Sequence, residues 1–286
     1  MLRILSSYLF IHRKFTPEML GEIARSGVGA IEIFCSRYHF DYRSAEAAAE
    51  MGAALRDSNV SLHALHAPTE RDSGPARHSG VPLSVSDPER GRRLEAVDEI
   101  RRVLDLAEHL PFRYLVLHLG SSRDEADPRR YDAAFSSLER LRIFAKQGGV
   151  TIAIENTPGQ LAAPDKLRQF ITETRLNDVR FCFDVGHAHL GDGVMPSLEI
   201  MSDLVVTAHV HDNNGFKDEH LAPFSGNIEW PPALAALTAV DSALVLELKE
   251  QPAYAEPAPP SVAIEAARAA FDKMEEALDS AGSPGA

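Results

Sequence analysis

Short apolar runs alternate along the chain with longer stretches that are apolar on one face only. The runs LRILSSYL (2–9), AIEIFC (30–35), SLHALH (61–66), YLVLHLG (114–120), VTIAIEN (150–156), VRFCFDV (179–185), VVTAHVH (205–211) and ALVLELK (243–249) read as strands. Helical periodicity covers 17–25, 45–57, 89–109, 133–146, 164–173 and 261–278, and SLEIMSDL and PPALAALT read as two short helices. Thr16-Pro17-Glu18 is a helix start, a capping oxygen followed by proline at the first helical position. Eight strands in regular alternation with helices imply parallel βαβ units. Over about 250 residues they suit an α/β fold of the (β/α)8 TIM-barrel type. No GxGxxG follows the first strand, so a dinucleotide-binding sheet has no support. Nothing splits the chain: residues 1–279 read as one barrel and 280–286 as a frayed C-terminal tail. Two segments look irregular, 67–87 after the third strand and 251–260 after the eighth.

At 286 residues and 44% hydrophobic content the chain can bury a large core. No apolar run is long enough for a membrane-spanning helix, and MLRILSSYLFIHRKF meets charge too soon for a secretory signal. Two cysteines, Cys35 and Cys182, indicate a reducing compartment, by default the cytoplasm. A formal net charge of −13 argues against a nucleic-acid partner, which clustered Lys and Arg usually hold. Part of that acidity would be neutralised if the carboxylates hold a cation.

A barrel makes a sharp demand on chemistry, because active groups collect at the C-terminal ends of its strands. His66, His118 and Glu155 end the third, fourth and fifth strands; Asp184 and His187 follow the sixth in DVGH. His209 lies late in the seventh strand and Glu247 near the end of the eighth. Asp218 and His220 come from HVHDNNGFKDEH, a stretch too polar for a core and too rich in imidazole for an ordinary loop. A lone histidine at a strand end is more often a hydrogen-bonded polar residue than a ligand. Glu155 in IAIEN and Glu247 in LVLELK are harder to dismiss, since a carboxylate buried without a cation is costly. The joint pattern points to a metal site. Carboxylates and imidazoles without cysteine suit Zn2+ or Mn2+. Glu155, Asp184, His209 and Glu247 could surround one ion, and His66 and His118 could set a second against Glu155. His187, Asp218 and His220 could hold a third or contact substrate hydroxyls.

With EIFCSRYHFDY, LHAPT, LVLHLG, AIENTPGQ, FDVGHAHLGD, HVHDNNGFKDEHLAPFSGNIEW and LVLELK, nearly the whole chain resembles the xylose-isomerase-like barrel superfamily. That superfamily contains sugar phosphate isomerases and epimerases and also endonuclease IV. The resemblance implies counterparts here for all nine metal-ligand types of endonuclease IV: His66, His118, Glu155, Asp184, His187, His209, Asp218, His220 and Glu247. For the single-metal ketose epimerases it implies a core of Glu155, Asp184, His209 and Glu247. There the two glutamates also act as acid and base, and His187 touches the sugar. Two departures bear on the choice. Endonuclease IV has a tyrosine where this chain has Thr69, and the epimerases have an arginine where this chain has Gly215, with Lys217 as a substitute cation.

The expectation is a metal-dependent sugar or sugar phosphate isomerase or epimerase with a small carbohydrate substrate. An ion chelating a carbonyl and its neighbouring hydroxyl would stabilise an enediolate, with Glu155 and Glu247 moving the proton on opposite faces. Lys217 and Trp230 are expected at the sugar pocket, His189 and His211 in supporting positions, and Asp212 and Asn213 in orienting the histidine or its loop. The alternative is an endonuclease IV-like zinc phosphodiesterase acting at abasic DNA sites. A homo-oligomer is compatible with either.

Overall fold

The computed structural model describes residues 1–71, 81–250 and 258–282. Eight parallel strands close into one barrel in chain order: β1 (Ile4–Ser6), β2 (Ala30–Phe34), β3 (Ser61–His66), β4 (Tyr114–Leu117), β5 (Thr151–Glu155), β6 (Arg180–Asp184), β7 (Val205–Val210) and β8 (Ala243–Leu246), with β8 pairing back to β1. Around them run α1 (Pro17–Arg25), α2 (Ala45–Ser58), α3 (Arg90–Asp105), α4 (Pro128–Gln147), α5 (Pro164–Thr174), α6 (Val185–Leu190), α7 (Val194–Met201), α8 (Trp230–Ala239) and α9 (Pro260–Gly282). The expected (β/α)8 TIM barrel is the fold. Among the described residues no helix is long and apolar enough to cross a membrane.

Elements shift where local capping outweighs periodicity. The first strand is shorter than 2–9, because Ser6 accepts from the Tyr8 N–H and starts a 3-10 turn over Ser7–Phe10. The helix after β4 begins at Pro128 rather than 133, since Asp127 caps it through the Arg129 N–H. Thr16 caps α1 as expected. The expected tail starts inside α9, which runs through Gly282, and 283–286 lie outside the described residues. So do 72–80, within the first irregular segment, and 251–257, most of the second.

Strand alternation sorts side chains into two layers. Ile31, Ile33, Ile152, Ile154, Phe181, Phe183, Leu244 and Leu246 face the helices in the main core. Ile4, Ala30, Ala64, Tyr114, Val116, Ala153, Cys182 and Val245 form two smaller clusters inside the barrel. Two residues on from Ala30, Ala153, Cys182 and Val245 stand Glu32, Glu155, Asp184 and Glu247. Period two therefore turns all four carboxylates inward, above a floor of mostly small apolar groups.

Candidate metal centre

Four strand ends converge on His209, which is fully buried. Its Nδ1 lies 3.5 Å from Glu155 Oε2, 3.7 Å from Asp184 Oδ2 and 3.4 Å from Glu247 Oε2. Its Nε2 is held on the other side by the Glu32 carboxylate at 3.2 Å. A second group joins His66 Nε2 and His118 Nε2 to Glu155 Oε2, at 3.3 and 3.2 Å. In a third, Asp218 Oδ2 lies 3.3 Å from His187 Nε2 and 3.1 Å from His220 Nε2, with His211 Nε2 4.0 Å from Asp218 Oδ1. His187 bridges the groups, its Nδ1 being 3.2 Å from Glu155 Oε1. All nine residues named as ligands thus meet at one end of the barrel.

The loop HVHDNNGFKDEH is anchored from below. Asp212 is buried and accepts from the N–H groups of Asn213, Gly226 and Ile228 and from the Trp230 indole N–H at 2.7 Å. Gly226 must be glycine-sized, because a Cβ there would fall 2.4 Å from Asp212 Oδ1. The Asn213 side-chain N–H donates to the Gly186 carbonyl, and a Cβ on Gly186 would fall 2.0 Å from the His211 ring. Asn156 brackets Asp184, donating to its carbonyl and accepting from its N–H. Asp184 in turn accepts from the His187 N–H at 2.6 Å. These contacts fix the loop and the side chains beside it.

Whether these residues fit a cation is answered by buried polar atoms with no partner. Among the described residues these include His118 Nε2, His209 Nδ1 and Asp218 Oδ1, one in each of the three groups. Buried nitrogen and oxygen atoms are nearly always hydrogen-bonded, so three orphans facing carboxylates and imidazoles fit a divalent cation. The ligand atoms of the second and third groups lie within 4.8 Å of one another, as do those of Glu32, His209 and Glu247.

Charge tells the same story. Burial works against ionising Glu155, yet His118 and His209 hold its pKa well below the ordinary carboxylate range. Asp184, beside His187 and His211, and Asp218, bonded to His187 and His220, are likewise lowered against burial. Burial disfavours charge on His66, His187, His209 and His220, but the surrounding negative groups raise all four. The raised imidazoles and the lowered carboxylates thus balance one another's buried charge.

Beside the centre opens a cavity of about 640 Å3 whose lining includes Thr69, His118, Arg123, His187, Lys217 and Asp218. His187 and Lys217 are where a substrate contact was expected. Trp230 is not: it is 1% exposed, spent on Asp212, and does not line this cavity. His189 bonds Asn227 at the surface, whereas His211 joins the third group. Two residues were missed. Glu32, in AIEIF, obeys the rule that singled out Glu155, a carboxylate inside an apolar strand. Cys182 joins Glu155 and His209 within 4.8 Å, so the centre is not free of sulfur; only the inward turn of β6 reveals this.

A family model described as xylose isomerase-like TIM barrel matches residues 20–275. An uncharacterized protein of Methanocaldococcus jannaschii is 29% identical over 256 residues, covering 85% of this chain and 82% of that protein. Among solved structures, a D-tagatose 3-epimerase-like protein superposes with a TM-score of 0.78 at 23% identity, covering 98% of each chain. The IolI protein with a bound zinc atom also superposes at 0.78, with 17% identity over 96% of this chain and 98% of its own. At these identities the two structures bear on fold alone.

Proposed function

The chain belongs to the xylose isomerase-like TIM barrel family, and we propose that it is a metal-dependent isomerase or epimerase of a small sugar or sugar phosphate. One observation carries the reading: the buried Nδ1 of His209 has no partner and faces oxygens of Glu155, Asp184 and Glu247. These four residues would hold one divalent ion, zinc or manganese by donor chemistry. When bound, the ion supplies Lewis acidity toward adjacent substrate oxygens and acidifies the C–H between them.

The chain's own groups do the rest. Glu155, kept ionised by His118 and His209, is in the unprotonated form that a general base needs. Glu247 comes from the far side of β6 and β7, so the two carboxylates approach the same nitrogen from different directions. One takes the proton and the other returns it to the opposite face. His187, whose Nδ1 donates to the Asn156 carbonyl, is held to meet a substrate hydroxyl from the cavity wall. Lys217 offers a cation at the same wall. A D-tagatose 3-epimerase-like structure shares this fold, and ketoses are therefore the first substrates to test.

A second reading draws on the orphans at His118 and Asp218: three ions, as a phosphodiesterase at abasic DNA would use. The acidic balance and Thr69 weigh against it. Elemental analysis of protein purified without chelators, followed by proton exchange in D2O with a panel of ketoses and ketose phosphates, separates the two. We expect a divalent ion on the four-residue site and deuterium at a carbon next to the carbonyl. About three zinc ions with nicking of abasic DNA, and no exchange, would replace the reading with the second. No ion after reconstitution would overturn both.

A further inference from the structure

We propose that Glu32 positions the imidazole of His209 for the ion without ligating it, an inference that rests on the metal-dependent reading of this site. Glu32 is 0% exposed in the middle of β2, where a carboxylate without a purpose would be costly. Both its oxygens lie 3.2 Å from His209 Nε2. Oε1 also accepts from the Ser6 hydroxyl at 3.2 Å, and Ser6 Oγ in turn accepts from the Tyr8 N–H. A chain of bonds therefore runs from the backbone after β1, through Ser6 and Glu32, to one edge of the His209 ring.

The two nitrogens of an imidazole point to opposite edges, so the group bound at Nε2 fixes the lone pair at Nδ1. With Nε2 donating to Glu32, the free pair is at Nδ1, the atom that faces Glu155, Asp184 and Glu247 and has no partner. A carboxylate on the far edge of a ligating histidine holds its tautomer and orientation and makes it a stronger donor. Glu32 does come within 4.8 Å of Glu247. Direct ligation is the rival role, and it predicts a different result.

The test uses the full chain, stripped of metal and titrated with Zn2+ against a chromophoric chelator, then with Co2+ to read the visible ligand-field spectrum. Wild type, Glu32→Gln, Ser6→Ala, His209→Ala and the Glu32→Gln/His209→Ala double variant are compared. We expect Glu32→Gln to weaken zinc binding by about 10–100-fold with the cobalt spectrum keeping its shape. Ser6→Ala should lose affinity in the same direction by less, and covers the case in which Glu32→Gln does not fold. In the double variant Glu32→Gln should add nothing to the loss from His209→Ala, because its effect passes through that ring. Unchanged affinity in Glu32→Gln, or in Ser6→Ala if it alone folds, overturns the role. So do additive losses or an altered cobalt spectrum, which would make Glu32 a ligand. Wild-type protein that takes up no ion overturns the metal reading itself, and this role with it.

Discussion

His39 and His209 are equally buried and opposite in every other respect. His39, at 2% exposure, lies in the loop after β2, with Nδ1 on the Arg13 carbonyl at 2.7 Å and Nε2 on Ser7 Oγ at 2.9 Å. Burial drives its pKa down to about 4, so it is neutral and both nitrogens are satisfied. Around His209 the same burial is overcome by Cys182, Glu247, Glu32 and Glu155, which raise its pKa well above the ordinary value. One of its nitrogens is left without a partner. Depth in the protein does not make a histidine a candidate ligand. What marks His209 out is an unspent nitrogen among carboxylates that, among the described residues, no arginine or lysine pairs with.

That contrast can be broken most forcefully at the carboxylates. Glu155→Gln and Glu247→Gln should each slow proton exchange by about 10²–10⁴-fold, measured as deuterium uptake into substrate, because each removes a proton carrier. Exchange at the wild-type rate in either would remove it from the chemistry. Next come the histidines themselves. His209→Ala should weaken zinc binding by more than Glu32→Gln does, while His39→Ala should bind metal as wild type and lose about 1–3 kcal/mol of stability from unpaired Ser7 and Arg13 groups. Chelator competition and thermal melts would check the pair, and metal loss in His39→Ala would erase the distinction.

The pH response should also split. The raised histidines contribute stability to metal-free protein that is fully present below their unfolded value of 6.5 and lost as pH climbs through their higher folded values. His39 works the other way, contributing stability that is complete above 6.5 and lost as pH falls toward 4. Metal-loaded protein should instead gain stability between pH 6.5 and 8, since bound metal excludes those histidine protons. Melting curves of both forms across this range would show parallel slopes if the imidazoles are not ligands. The smallest effect is expected at Lys217, exposed at the cavity rim. Lys217→Ala should shift stability by no more than about 0.5 kcal/mol while raising KM, and an unchanged KM would remove it from the substrate.

Much of the site is legible because a barrel makes position in sequence predict position in space. Once LVLHL, IAIEN and LVLEL are strands, their last polar residues must share one mouth. Glu32 went unseen although AIEIF carries the same mark, since no ligand pattern around β2 drew attention to it. Trp230 was placed wrongly because nothing in NIEWPP tells which way an indole turns; Asp212, eighteen residues earlier, settles it. Cys182 joined the site only through the period-two turn of β6.

The sequence by itself determined the alternation of strands and helices, and with it the barrel and the set of donor residues at its C-terminal rim. These follow from local periodicity and from the cost of leaving a carboxylate in an apolar strand. Only the tertiary structure decided which donors touch. Glu155 lies against His66, His118, His187 and His209 from four other strand ends, and Glu32 and Glu247 flank His209 from strands on either side of the closure. Closing the sheet brings Glu32 and His209, 177 positions apart, within hydrogen-bond range, and no local pattern encodes which nitrogen is left without a partner.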